Sequence, residues 1–190
     1  KSPTFNPQLL EDKVIIHYLN DGQVTLLRPH KYALKDTGVQ VYPTSWGKNL
    51  IITEGEFKAV AAQQLGFDAI ALPCVGSFSG EHFPTLIKLL NDHQVKDICI
   101  IFDSENKSDP NLPNFKANPS QRYDTEYFSY LMTYLLEREG KTVKIGKLPE
   151  SWQVKGKGDL DGALAQGKTA DDIRGVIASS LSAKDYFDSL

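Results

Sequence analysis

The sequence predicts an α/β fold, a mostly parallel sheet flanked by helices, with a small β-rich subdomain ahead of it. Two patterns predict it. From residue 49 onward, short apolar runs alternate with stretches whose apolar residues recur at helical spacing. Before residue 49, two β-branched runs flank an Asn-Asp-Gly turn, which is a hairpin signal. Strands separated by helices imply parallel pairing through right-handed crossovers. The expected division is a β-rich N-terminal subdomain over 1–48, the α/β domain over 49–182 and a C-terminal tail over 183–190.

The elements follow in order. "KVIIHYL" and "NDGQVTLLR" form the hairpin, and "GVQVY" makes one more short strand before Pro43. "LIIT" (50–53) is a short buried strand. Phe57, Val60, Ala61 and Leu65 then mark a helix that Gly66 stops. "AIAL" (69–72) is the next strand, ended by Pro73. Phe83, Leu86, Ile87 and Leu90 mark a second helix. "DICIIF" (97–102) is the most apolar strand and should be central. Tyr123, Tyr127, Tyr130, Leu131, Tyr134 and Leu135 mark a long helix up to Gly140, its tyrosines packed on the core. "TVKIGKL" (142–148) alternates, as a strand nearer an edge does. Helices near 159–166 and 170–181 close the chain. The stretch 104–122 fits no element; loops of that length tend to be functional or disordered.

Composition narrows the function classes. With 41% apolar and 24% charged residues, the chain reads as soluble and globular. A net charge of −3 does not announce a nucleic-acid binder, although a local basic patch suffices for one. Lys and Arg outnumber Asp and Glu six to four over residues 1–48, and the balance reverses to three against six over 159–190. A phosphate-binding surface therefore falls toward the N-terminal part. Cys74 and Cys99 lie far apart in apolar stretches, as buried reduced thiols of a cytoplasmic protein do. His17, His30, His82 and His93 make no zinc pattern with them. No run is long enough to span a membrane, and no signal peptide is visible. The chain opens on Lys1, not Met, which suggests a piece of something longer.

Carboxylates gather where strands end. Glu54 follows the strand 50–53, Asp103 and Glu105 follow 97–102, and Asp159 and Asp161 lie in "KGKGDLDGAL" after 142–148. In open parallel sheets, sites form at the carboxyl ends of strands. Residues two apart in an extended segment point to one side, so each Asp-x-acid pair presents two carboxylates together. Clustered carboxylates repel each other unless a cation joins them. Mg²⁺ takes such oxygen ligands and serves phosphoryl transfer. The bland alternative for each acid is a helix N-cap or a solvated loop residue. Gly76 and Gly80 in "PCVGSFSG", a Gly/Ser loop ahead of a helix, either cradle phosphate or simply turn the chain.

The order Glu-Gly, Asp-x-acid, Asp-x-Asp resembles the toprim domain, a Rossmann-like fold. That domain is shared by bacterial-type primases, type IA and type II topoisomerases and some nucleases. "ITEGEFKAVAAQQLGFDAIALPCVGSFSG", "ICIIFDSE" and "LPESWQVKGKGDLDGALAQG" are most similar to primase-like toprim proteins of bacteria, phages, plasmids and mobile elements. The resemblance covers about residues 48–168. It implies metal-dependent nucleotidyl or phosphoryl transfer with Mg²⁺ or Mn²⁺, as in primer synthesis during DNA replication. Glu54, Asp103 and Glu105 would be catalytic. The same three, with Asp159 and Asp161, would hold metal. Arg28, Lys31 and Tyr32, in a segment resembling the subdomain that precedes toprim in primases, would face template or nucleotide. Lys58, Gly76, Ser77 and Lys157 would join them in binding phosphate. Implied partners are single-stranded DNA, nucleoside triphosphates, and a replicative helicase or further domains of a parent chain.

Two departures stand out. The metal motif reads Asp-Ser-Glu where Asp-x-Asp is usual. Lys58 stands where primases commonly carry Asp; one turn from Glu54, it pairs with an acid, binds phosphate or is a solvated helix lysine. The long stretch 104–122 carries Lys107, Lys116 and Arg122, which either contact a nucleic-acid backbone or belong to a surface insertion. Competing readings are a toprim nuclease, the metal half of a topoisomerase, and a non-catalytic module that binds nucleic acid or a helicase. A phosphatase-like role, with Asp103 as nucleophile, ranks last.

Overall fold

The computed structural model describes residues 15–18, 24–27, 46–47, 49–72, 75–76, 78, 82–105 and 125–189. In the N-terminal part, β1 (Ile15–Tyr18) and β2 (Val24–Leu27) pair antiparallel, with Ile15 opposite Leu27, as the turn signal predicts. The strand expected at "GVQVY" lies outside the described residues.

The core is a four-stranded parallel sheet. Its strands are β3 (Asn49–Glu54), β4 (Ala69–Leu72), β5 (Asp97–Ile100) and β7 (Thr142–Ile145), in the order β4-β3-β5-β7. β5 is central and β7 is at an edge, as the apolar run and the alternating run predict. β5 ends two residues earlier than its apolar run. Ile101 still donates to the Ile52 carbonyl at 2.9 Å, so the chain stays extended toward Asp103. Two more residues, Ser104–Glu105 (β6), pair antiparallel with Lys157–Gly158 (β8). Ser104 and Glu105 therefore belong to an element, unlike the expectation for 104–122; residues 106–122 lie outside the described residues.

The sheet sorts its side chains by the strand period of two. Ile51, Ala69, Ala71, Cys99 and Ile101 face α1 (Glu56–Gln64), α4 (Leu160–Ala165) and α5 (Ala170–Ala178). Leu50, Ile52, Ile70, Leu72, Ile98, Ile100 and Phe102 face α2 (His82–Asp92) and α3 (Thr125–Arg138). Burial on both faces explains the near-continuous apolar strands. Cys99 is a buried free thiol, as expected; Cys74 lies outside the described residues.

Three helix expectations change. Tyr127, Tyr130 and Tyr134 do not pack on the core; they are 59%, 38% and 48% exposed. The buried face of α3 is Thr125, Ser129, Met132, Thr133 and Leu136. Small side chains let the helix lie close to the sheet. The Ser129 and Thr133 hydroxyls donate back to the carbonyls of Thr125 and Ser129, so burial leaves them satisfied. Phe57 is likewise 49% exposed, because α1 meets the sheet through Ala59, Val60 and Ala62. The helix expected over 170–181 ends at Ala178. A separate α6 (Ala183–Asp188) follows, which buries Tyr186 within the stretch read as a tail. Between them Leu181 bridges Ile145, covering the end of β7.

Candidate functional site

The topology sets a switch point between β3 and β5. From β3 the chain crosses over α1 on one face of the sheet to reach β4. From β4 and β5 it crosses over α2 and α3 on the other face, progressing in the opposite direction. Neighbouring strands β3 and β5 thus send their chains to opposite faces, and ligand sites in open α/β sheets form at such switch points. Glu54 ends β3, and Asp103 lies three residues beyond β5.

Glu54 is half-buried. Gly55 follows with φ +82°, a left-handed conformation that glycine adopts without strain. Its N–H donates to the Leu72 carbonyl at 2.7 Å, fixing the corner against β4. Helix α1 then begins with no side-chain cap and carries Lys58 in its first turn.

Lys58 points at Asp103. Its Nζ lies 2.9 Å from Oδ1 and donates to Oδ2 at 3.1 Å; Oδ1 has the charge contact without an aligned hydrogen bond. A second ammonium, Lys157 Nζ, lies 2.8 Å from Oδ2. The Asp103 side chain is only 2% exposed, against 15% for Lys58 and 46% for Lys157. Of the roles open to Lys58 in the sequence, pairing with an acid is the one observed.

Lys157 is delivered by a tight turn. Lys155 and Gly156 both have positive φ, 53° and 77°, which suits a two-residue hairpin connection. Val154 and Lys157 close that turn by exchanging backbone hydrogen bonds of 2.8 and 3.2 Å. The β6–β8 register sets Lys157 opposite Glu105, and Gln153 Nε2 donates to Ser104 Oγ at 3.0 Å. Burial pushes the Lys157 pKa down, but the hydrogen bond and charge of Asp103, with the charges of Glu54 and Glu105, outweigh it and hold the pKa above the usual lysine value. Glu54, Asp103 and Glu105 therefore share one electrostatic neighbourhood around Lys157.

Asp159 and Asp161 are not an extended pair. Asp159 is the N-cap of α4, its Oδ1 accepting from the Gly162 N–H at 2.8 Å, so the capping alternative describes it. Asp161 lies in the helix's first turn. Desolvation first, then the charge and hydrogen bond of Asp159, push the Asp161 carboxyl above the usual range; the Lys58 charge opposes them. Lys58 thus stands between the two acidic groups.

Carboxylate oxygens are the right donors for a hard divalent cation. Their placement is not right. Among the described residues, no three acidic, histidine or cysteine side chains are grouped so as to hold a metal ion. Both Asp103 oxygens face ammonium groups. As arranged, the acids do not fit a bound Mg²⁺ or Mn²⁺.

No protein-family model matches this chain, and no curated protein matches it. A solved structure of the RNA polymerase domain of Mycobacterium tuberculosis primase is similar at 15% identity, with a TM-score of 0.47. The similarity covers 74% of this chain and 38% of that one.

The remaining expected site residues are dispersed or undescribed. Gly76 lies in a turn after β4; Ser77, Arg28, Lys31, Tyr32, Lys107, Lys116 and Arg122 lie outside the described residues. Two local features escaped sequence reasoning. One is the Lys155-Gly156 turn, whose signal was a glycine two residues before Gly158. The other is Thr53, a fully buried residue beside Glu54 whose hydroxyl has no hydrogen-bond partner among the described residues. Its signal was a polar residue ending an apolar strand. Among the described residues, no helix is long and apolar enough to cross a membrane.

Proposed function

We propose that this chain is a toprim-type domain catalysing nucleotidyl or phosphoryl transfer on nucleic acid, with primase-type primer synthesis in DNA replication as its reaction. One observation carries the reading. Glu54 and Asp103 stand past the ends of β3 and β5, at the switch point, with Lys58 and Lys157 paired to Asp103. Phosphoryl transfer is catalysed chiefly by positioning and charge stabilisation. Glu54 has the position for a general acid or base at a reacting phosphate. Lys58 and Lys157 have the charge to face phosphate oxygens. Asp103 orients both ammonium groups. Mg²⁺ or Mn²⁺ would supply a Lewis acid in this reading, although the acids as arranged do not fit it. Nucleoside triphosphates and single-stranded DNA are the substrates proposed, with a helicase or further domains of a parent chain as partners.

The test is incubation with Mg²⁺ or Mn²⁺, labelled nucleoside triphosphates, and single-stranded or supercoiled DNA. New short oligonucleotides, lost in Glu54→Ala, support the reading. Nicking or degradation transfers it to a toprim nuclease. Neither product, with Glu54→Ala identical to the unaltered chain, overturns both.

A second reading is a non-catalytic module that binds nucleic acid or a helicase. The neutralisation of Asp103 by two lysines favours it. Binding of single-stranded DNA or helicase without product, unchanged in Glu54→Ala, is its expected outcome.

A further inference from the structure

We propose that a cavity at the amino ends of the sheet strands binds a small zwitterion with an apolar body, the chemistry of a free aliphatic or aromatic α-amino acid. The cavity lies at the opposite end of the sheet from Glu54 and Asp103, and the inference stands apart from the reaction proposed for them.

The cavity has a volume of about 280 Å³, close to the lower end of small-ligand sites. Strand register builds its floor. Asn49, Asp97 and Thr142 stand side by side at the starts of β3, β5 and β7. Two residues further on, Ile51, Cys99 and Lys144 stand side by side in the same order. Residues two apart in a strand share a face, so both rows line the cavity from one side of the sheet. Phe67 and Ile177 add apolar wall. Helix α5 covers this face with Ile173 and Val176 but ends at Ala178, and Thr142 and Lys144 stay exposed. An apolar floor is thus left open where a longer helix would have sealed it.

Two opposite charges stand on that floor without neutralising each other. Asp97 and Lys144 are diagonal neighbours on adjacent strands, and neither makes an ion pair among the described residues. Asp68, the other carboxylate at the cavity, alternates with Phe67 and Ala69 and so belongs to the other face; its Oδ2 accepts from the Gly47 N–H at 2.6 Å. The Lys144 charge acts at Cys99, where it opposes the burial that raises the thiol's pKa, so the ammonium is within electrostatic reach of the apolar floor. One carboxylate and one ammonium over apolar surface complement a molecule that carries one of each. The ligand's ammonium pairs with Asp97, its carboxylate pairs with Lys144, and its apolar body lies on Ile51 and Cys99 against Phe67 and Ile177. A ligand with a single charge satisfies only one of the two and sets its own charge near a like one, which is how the site discriminates.

The experiment is calorimetric titration of the full chain, without nucleotide or nucleic acid, with L-phenylalanine and L-leucine. Phenethylamine, which lacks the carboxylate, and hydrocinnamate, which lacks the ammonium, are the comparison ligands. Saturable binding of at least one amino acid is expected, with both comparison ligands about tenfold weaker or more, the size of effect expected from losing one charged hydrogen bond. Asp97→Asn and Lys144→Met should each weaken the amino acid by a similar factor. Ile177→Trp, which fills the cavity without changing charge, should abolish binding. Lys184→Met is the control: Lys184 pairs with Asp188 on α6, and its loss should change affinity less than twofold. A circular-dichroism melt checks that each variant folds. No saturable binding of either amino acid overturns the inference. Phenethylamine binding as tightly as L-phenylalanine, unchanged in Lys144→Met, overturns the zwitterion and leaves a cation site. Binding unchanged in Ile177→Trp puts the ligand elsewhere and overturns it, as does an equal loss in Lys184→Met, which reduces the effect to general charge.

Discussion

Lys58 Nζ lies 2.9 Å from Asp103 Oδ1, although 45 residues separate the two in the chain. The pair ties the first turn of α1 to the extended chain beyond β5. Breaking a buried ion pair strands a charge, whereas an exposed pair is worth little. Asp103 has two partners, so losing one does not strand it. Lys58→Met is expected to cost roughly 1–3 kcal/mol and Lys157→Met less than about 1 kcal/mol, because Lys157 is half in water. The double variant should exceed the sum of the two, since only then is the buried carboxylate unpaired. Urea unfolding of the three variants checks this. Strict additivity would show that the two lysines act separately.

Asp161 gives a pH signature. Its carboxyl is pushed above the ordinary range by desolvation and by Asp159. At low pH it is protonated both folded and unfolded, and contributes nothing. As pH rises, the unfolded chain releases the proton first, so the native state loses stability through the carboxylate range and does not regain it. Asp161→Asn should therefore raise the melting temperature at pH 7, with the gain shrinking to nothing near pH 3. A gain independent of pH would rule out this electrostatic origin.

Cys99 should be silent toward thiol reagents in the native protein. Burial raises its pKa from 9.0 to about 11, with hydrogen bonds from Ser180 and Gly146 opposing. Only the thiolate reacts quickly. Mass mapping after iodoacetamide at pH 8 is expected to find Cys99 unmodified until denaturant is added. The same shift predicts an alkaline loss. Between about pH 9 and 11 the unfolded chain ionises and the native one does not, lowering stability by about 3 kcal/mol.

Two helical glycines should answer alanine in opposite ways. A Cβ at Gly175 on α5 meets no described residue within 4 Å, so Gly175→Ala should stabilise by roughly 0.5–1 kcal/mol through helix propensity. A Cβ at Gly162 would lie 2.5 Å from Asp159 Oδ1, the atom that caps α4. Gly162→Ala should displace that cap and destabilise by roughly 0.5–2 kcal/mol. Thermal melts of the two variants settle the contrast. Stabilisation by both would show that the cap yields freely.

The sheet was legible because buried parallel strands write themselves as apolar runs; "DICIIF" announced a central strand and "TVKIGKL" an edge. The tyrosines of α3 misled because periodicity reports a face without saying which way it turns. Ser129 and Thr133 hid their polarity by bonding to their own helix, so the true core face looked polar. Of the candidate site, the places of Glu54 and Asp103 after strands were legible. The partner of Asp103 was not, because which ammonium reaches it depends on a turn at Lys155-Gly156 and a register between β6 and β8. Asp159 and Asp161 were legible as a pair but not in form: a helix start holds them, not an extended strand.

The end of β6 and the start of α3 lie beside one point. Glu105 from the first and Thr125 and Glu126 from the second line the same small cavity, about 20 Å³, with Asp103. Closing a loop of fixed ends costs only about 0.6 kcal/mol for each doubling of its length. Evolution is therefore free to lengthen, shorten or rewrite residues 106–124 while the carboxylates at their base stay where they are. Chimeras that exchange the segment alone should keep Asp103 and Glu105 where they are.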